Sequence, residues 1–177
     1  MIEARTSTVA ETREVAAALA ELARPGDLVL LAGELGAGKT AFAQGFGAAL
    51  GVEDPITSPT YTLHSRYEGR LRLDHLDVYR LDQLSEVFDI GLPEMLDDGG
   101  VILVEWGDAI APTLPADYLE IRFTFGDGDD DRQLELVPVG PRWTARCRSM
   151  TTLLERWAPP DPDGAPTASS STENTGD

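Results

Sequence analysis

The sequence predicts an α/β fold, a three-layer sandwich with a mainly parallel central sheet and antiparallel strands added to it. Three observations predict it. Asp27-Leu28-Val29-Leu30-Leu31-Ala32 is a continuous apolar run after its first residue, the signature of a strand buried on both faces in a parallel sheet. It leads into Gly33-Glu34-Leu35-Gly36-Ala37-Gly38-Lys39-Thr40, a G-x-x-x-x-G-K-T pattern, and then into Ala41 to Leu50, which sets Phe42, Phe46 and Leu50 on one helical face before Gly51. A second short apolar run, Val101-Ile102-Leu103-Val104, follows Gly99-Gly100 and supplies another buried strand.

Strand, glycine-rich turn and helix in that order make the sandwich P-loop NTPase-like. The remaining elements follow along the chain. Thr8-x-x-Glu11 is a capping box that opens a helix to about Ala23, stopped by Arg24-Pro25-Gly26. Pro55-Ile56-Thr57-Ser58-Pro59-Thr60 is a loop, because two prolines and three hydroxyls interrupt any period. Tyr61 to Tyr67 and Leu71 to Asp77 alternate around Glu68-Gly69-Arg70 and read as a hairpin. Leu81 to Phe88 and Glu94 to Leu96 read as helical. Tyr118 to Phe125 and Gln133 to Val139 make an antiparallel pair joined by the acidic turn Gly126 to Asp131, and Trp143 to Trp157 reads as one helix. From Ala158 onward, proline, serine, threonine and acidic residues carry no apolar period, so the expected organisation is a domain over residues 1–157 and a disordered tail over 158–177.

Composition limits the partners. The chain has 31 acidic against 14 basic residues, a net charge of −17. Most of such a surface repels a nucleic-acid backbone, so any RNA in its biology is expected to be reached through another protein. No apolar stretch approaches membrane-spanning length, no basic region followed by an apolar stretch opens the chain, and the single cysteine, Cys147, excludes an intramolecular disulfide. The expectation is a cytoplasmic protein with no membrane association.

Only one residue of the chain is lysine, Lys39, and every other basic residue is arginine or histidine. A nucleotide triphosphate needs converging backbone N–H donors and one mobile positive charge. Gly33, Gly36 and Gly38 let the backbone wrap a β-phosphate, the next helix directs its N-terminal dipole at it, Lys39 reaches the β and γ oxygens, and the Thr40 hydroxyl holds Mg²⁺. An arginine fork fits less well between two phosphates than a compact ammonium. Glu105 follows the Val101–Val104 strand in the Walker B arrangement, where a carboxylate leaves a strand's carboxyl end beside the phosphates. It could hold Mg²⁺ through water or orient the attacking water; an ordinary strand-end carboxylate would look the same. Asp77 in His75-Leu76-Asp77-Val78-Tyr79-Arg80 ends another strand, and could equally be a turn or cap residue. Arg80 could meet a phosphate or make a local ion pair. His75 reads as packed or hydrogen-bonded, and the spacing of His64 and His75 is not that of a metal site.

Taken in order and spacing, Gly33 to Thr40, Ser58-Pro59-Thr60-Tyr61, His75-x-Asp77-x-Tyr79-Arg80 and Val104-Glu105-Trp106-Gly107 resemble the TsaE family, formerly YjeE, of small bacterial P-loop ATPases. The resemblance covers residues 5 to 157. It implies the ATPase component of the machinery that installs threonylcarbamoyl on adenosine 37 of tRNAs reading codons that begin with A, with ATP and Mg²⁺ as its cofactors. It also implies roles residue by residue. Lys39 and the amides of Gly36, Ala37, Gly38, Thr40 and Ala41 would grip the phosphates, Thr40 and Glu105 would ligate Mg²⁺, and Asp77 would arrange the metal or the hydrolytic water. Ser58, Pro59 and Thr60 would form a switch-like loop. Trp106 would sit against the nucleotide, with Ser7, Thr8 and Arg132 near the base. Ala41 departs from the family, which often has a second threonine there.

The resemblance further implies that the chain is an assembly and reset factor for the threonylcarbamoyl transferase (TsaD) and its noncatalytic paralogue (TsaB), touching tRNA only indirectly, with weak hydrolysis alone and stimulation by those partners. Three other readings compete. A P-loop small-molecule kinase would need an arginine-bearing lid, and no such cluster is evident. A GTPase would need an Asn-Lys-x-Asp loop, whereas the only asparagine is Asn174. A binding module would use ATP to hold an interface together, with hydrolysis incidental.

Overall fold

The structure is a computed structural model, and it describes residues 1–79 and 91–160. Seven strands form one sheet: β1 (Ile2–Thr6), β2 (Leu28–Ala32), β3 (His64–Tyr67), β4 (Leu73–Asp77), β5 (Val101–Glu105), β6 (Tyr118–Phe125) and β7 (Arg132–Val139). Their spatial order is β1-β7-β6-β2-β5-β4-β3. The inner strands β6, β2, β5 and β4 run parallel, and antiparallel neighbours complete the sheet on both sides. This is the expected α/β sandwich.

Every residue of β2 is buried because both faces of the sheet are covered. Val29 and Leu31 face α1 (Val9–Glu21) and α2 (Lys39–Ala49), in one apolar cluster with Val15, Leu19, Phe42 and Phe46. Leu28 and Leu30 face the other way, with Leu76, Ile102 and Val104, and are covered by Leu92 and Met95 of α3 (Leu92–Asp97) and by Ile110 and Leu114 of two short 3₁₀ turns. Helices α1 and α2 pack closely at Gly45, where a Cβ would lie 2.2 Å from the Arg13 carbonyl oxygen.

Three expectations are corrected. The strand β1 was not foreseen: Ile-Glu-Ala-Arg-Thr alternates for only five residues, and it becomes a strand because it pairs with β7 at the sheet edge. The first hairpin strand begins at His64 rather than Tyr61, since the chain turns at Leu63 (φ 62°), whose N–H donates to the Pro59 carbonyl at 2.7 Å. The segment from Trp143 to Trp157 is not one helix but α4 (Pro141–Thr144), α5 (Cys147–Leu153) and a 3₁₀ turn Glu155–Trp157. The chain steps aside at Arg146, whose guanidinium is committed to Asp27 at the start of β2 through a buried pair of bonds of 2.5 and 2.9 Å. Trp143, Met150, Leu154 and Trp157 still reach the α1–α2 side of the core. The predicted helix Leu81 to Phe88, like Arg80, lies outside the described residues.

Candidate functional site

The carboxyl ends of β2, β4 and β5 lie side by side, with Leu31 and Asp77 each opposite Glu105 in the ladder. A cavity of about 560 Å³ opens beyond them, where ligands enter open α/β sheets. The turn from β2 to α2 walls one side. Gly33 (φ 143°) must be glycine there, because a Cβ would meet the Phe123 carbonyl oxygen at 2.7 Å as well as a disfavoured backbone. Gly38 precedes α2 in the left-handed region, and no side chain caps the helix, so its N-terminus faces the cavity with only backbone.

Lys39 is 4% exposed. Its Nζ donates to the carbonyls of Gly33 at 2.6 Å and Glu34 at 2.8 Å, and it lies 3.7 Å from the centre of the Trp106 ring. Burial lowers its pKa below the ordinary 10.5, against the opposing pull of the Glu105, Asp77 and Asp108 charges. The Thr40 hydroxyl donates to Glu105 at 3.0 Å, and His75 Nε2 lies 2.9 Å from Glu105 Oε1. Asp77 gathers the loop before β3: its Oδ2 accepts from Ser58 Oγ at 2.8 Å and Thr60 Oγ1 at 3.1 Å, and its Oδ1 from the Tyr79 N–H at 3.0 Å. Trp106 occupies the left-handed region (φ 63°), uncommon for a bulky residue, and thereby turns its ring back over Lys39 and against Tyr79.

The structure therefore brings Gly36, Gly38, Lys39, Thr40, Ala41, Ser58, Thr60, Asp77, Glu105, Trp106 and Arg132 onto one cavity wall. Arg132 braces the turn, donating to the Ala37 carbonyl at 3.1 Å and the Gly36 carbonyl at 3.2 Å, and to the carbonyls of Asp129 and Asp131. Ala37 is buried and contributes through that carbonyl rather than to the lining. Ser7 and Thr8 are not among the lining residues. Thr8 caps α1, accepting from the Glu11 N–H at 3.1 Å, and the Ser7 N–H donates to Glu11. Val9 and Thr12 line the cavity in their place. The capping box that announced α1 gave the signal, since it fixes which residues follow on the next turn.

A family model described as "Threonylcarbamoyl adenosine biosynthesis protein TsaE" matches residues 6–134. The chain belongs to the TsaE family. Its similarity to individual members extends beyond the matched motifs. It is 41% identical over 148 residues to the protein named tRNA threonylcarbamoyladenosine biosynthesis protein TsaE of Bacillus subtilis (strain 168), covering 83% of this chain and 92% of that one. The Streptomyces coelicolor protein of that name is 42% identical over 138 residues, covering 74% of this chain and 93% of the relative. Among solved structures, the crystal structure of Bacillus subtilis YdiB superposes with a TM-score of 0.74 at 36% identity, over 85% of this chain and 94% of that one. In this TsaE-family chain no described helix is long and apolar enough to cross a membrane.

Proposed function

We propose that this chain is a cytoplasmic, Mg-dependent ATPase required for threonylcarbamoylation of adenosine 37 in tRNAs reading ANN codons. In this reading it is an ATP-driven assembly and reset factor for the transferase TsaD and its paralogue TsaB, meets tRNA only indirectly, and does not itself transfer the threonylcarbamoyl group. The observation that carries the reading is the meeting of Lys39, Thr40, Asp77 and Glu105 on one cavity at the strand tips, within a family whose members bear the name of that pathway.

The residues fit the group they would hold. A hydroxyl 3.0 Å from a carboxylate is a hard-oxygen donor set of the kind Mg²⁺ takes, and an uncapped helix N-terminus beside a buried ammonium suits an anion. Thr40 and Glu105 would hold the metal, with Asp77 near it. When bound, Mg²⁺ would bridge β and γ oxygens and neutralise charge on them. The chain's own contribution is placement. Lys39 would exchange its carbonyl partners for phosphate oxygens, Trp106 keeps water from its other side, and Asp77 tethers Ser58 and Thr60 beside the γ end. None of the described side chains supplies a free arginine next to Lys39, which accords with weak hydrolysis alone, since a transition-state arginine accounts for about 10³–10⁵ in rate in related machines.

Phosphate release measured with and without the TsaD–TsaB pair tests the proposal. Stimulation by the pair is expected. Turnover that stays flat on adding the pair would overturn the assembly-factor role, and label transferred to a metabolite would point to a small-molecule kinase instead.

A further inference from the structure

His75 is fully buried one residue away from any lining position, and the nucleotide reading gives it no task. Its side chain has a single partner: Nε2 lies 2.9 Å from Glu105 Oε1, while Nδ1 is buried without one. Burying an unpaired ring nitrogen costs free energy, so the placement is explained by what Nε2 does. With Nδ1 facing apolar surroundings, the ring's hydrogen bond is Nε2–H donating to Oε1. The Glu105 carboxylate has two such neighbours, and they are not equivalent. Thr40 spans both oxygens, at 3.0 and 3.1 Å, but its hydroxyl lone pairs are the ones required by a cation, and taking up that cation redirects the hydroxyl. His75 lies on the core side of the sheet tip and has no competing task.

We propose that His75 is a positioning residue for the carboxylate of Glu105: it pins Oε1 toward the sheet so that Oε2 is the oxygen presented to the cavity, and it goes on doing so once Thr40 has turned away. The inference rests on the Mg-nucleotide reading and deepens it. The carboxyl's rotation about its last bond is otherwise restrained by Thr40 alone. A fixed oxygen lowers the ordering cost of binding a hard cation, and partners of this kind typically govern about 10- to 100-fold in metal affinity or activity.

The test compares His75→Gln with His75→Asn. A glutamine amide nitrogen reaches the Nε2 position, and an asparagine amide reaches only the Nδ1 position, so both keep a polar group in the same space. The readout is the affinity of a nonhydrolysable ATP analogue with and without Mg²⁺, together with the melting temperature. For His75→Gln the gain in affinity produced by Mg²⁺ should stay within about threefold of the unmodified protein, and for His75→Asn it should fall by about tenfold or more, with Mg-free binding the same in both. A role in packing alone would move the two variants together. Equal Mg²⁺ gains in the two variants would therefore overturn the positioning role. If one variant does not fold, the other decides alone: a His75→Gln protein that loses the gain, or a His75→Asn protein that keeps it, overturns the proposal. An unmodified protein with no Mg²⁺ gain would instead sink the metal reading beneath it.

Discussion

At Lys39 an ammonium that is almost wholly out of water rests on two carbonyls of its own loop and one indole face. Those contacts hold the side chain at the strand tip, but they neutralise none of its charge. Lys39→Ala should therefore weaken nucleotide binding by about 2–3 kcal/mol, roughly 30- to 150-fold in Kd, the scale of a charged hydrogen bond; titration with a fluorescent ATP analogue measures it, and an unchanged Kd would remove Lys39 from the site. A different residue sets the response to acid. Asp74 is fully buried, and burial pushes its carboxyl up, but bonds from Arg66 (2.8 Å), His64 (2.8 Å) and Arg72 (3.1 Å) outweigh that and hold it below the ordinary 3.8. The unfolded chain then takes the proton first as pH falls below 3.8, so this site's stabilisation is complete above that pH and is lost as pH falls through the depressed value. Asp74→Asn should be less stable near neutrality and lose stability less steeply in acid, checked by urea unfolding at a series of pH values. Lys39 and Thr40 were legible in the sequence because the loop's spacing is local. Val9, Thr12 and the part Arg132 plays were not, because each reaches the cavity only after distant segments have come together.

Helix α2 owes its place to a residue with no side chain. Helix propensity alone would make Gly45→Ala a gain of about 1 kcal/mol. The new Cβ, however, would lie 2.2 Å from the Arg13 carbonyl oxygen and 2.5 Å from its Cα, both backbone atoms of α1 that cannot rotate away. Overpacking of that kind costs about 2–3 kcal/mol, so a net loss of about 1–2 kcal/mol is expected, and a rise in melting temperature would show that α1 and α2 can part without cost. The sequence carried the type of each long element well: the all-apolar runs of β2 and β5 and the stripe of α2 declare themselves through periodicity. It carried less of the short ones. β1 is a strand only because β7 is there to pair with it, and the break at Arg146 answers an aspartate 119 positions earlier, which no window along the chain can see.

At the scale of the molecule, the C-terminal segment belongs to the core that supports the site. Trp143, Met150, Leu154 and Trp157 are all buried against the α1–α2 side. Ending the chain after Ala158 keeps every one of them and should leave the melting temperature unchanged, whereas ending it after Arg142 removes all four and should unfold the domain; circular dichroism on both truncations tells the two apart, and a large drop for the longer one would show that the last residues pack. The overall sandwich could be read from the order of strand, loop and helix, but this dependence could not, since it lies in which far segments share a face.

The bond between Asp27 and Arg146 has a bearing on how the protein is made. A ribosome releases the phosphate loop early and the arginine that secures its supporting strand late, so the loop must leave the exit tunnel well before its footing is complete. Nascent chains halted short of Arg146 should thus carry the whole nucleotide motif and yet lack a firm seat for it, and the ability to retain a nucleotide would arrive only near the close of translation.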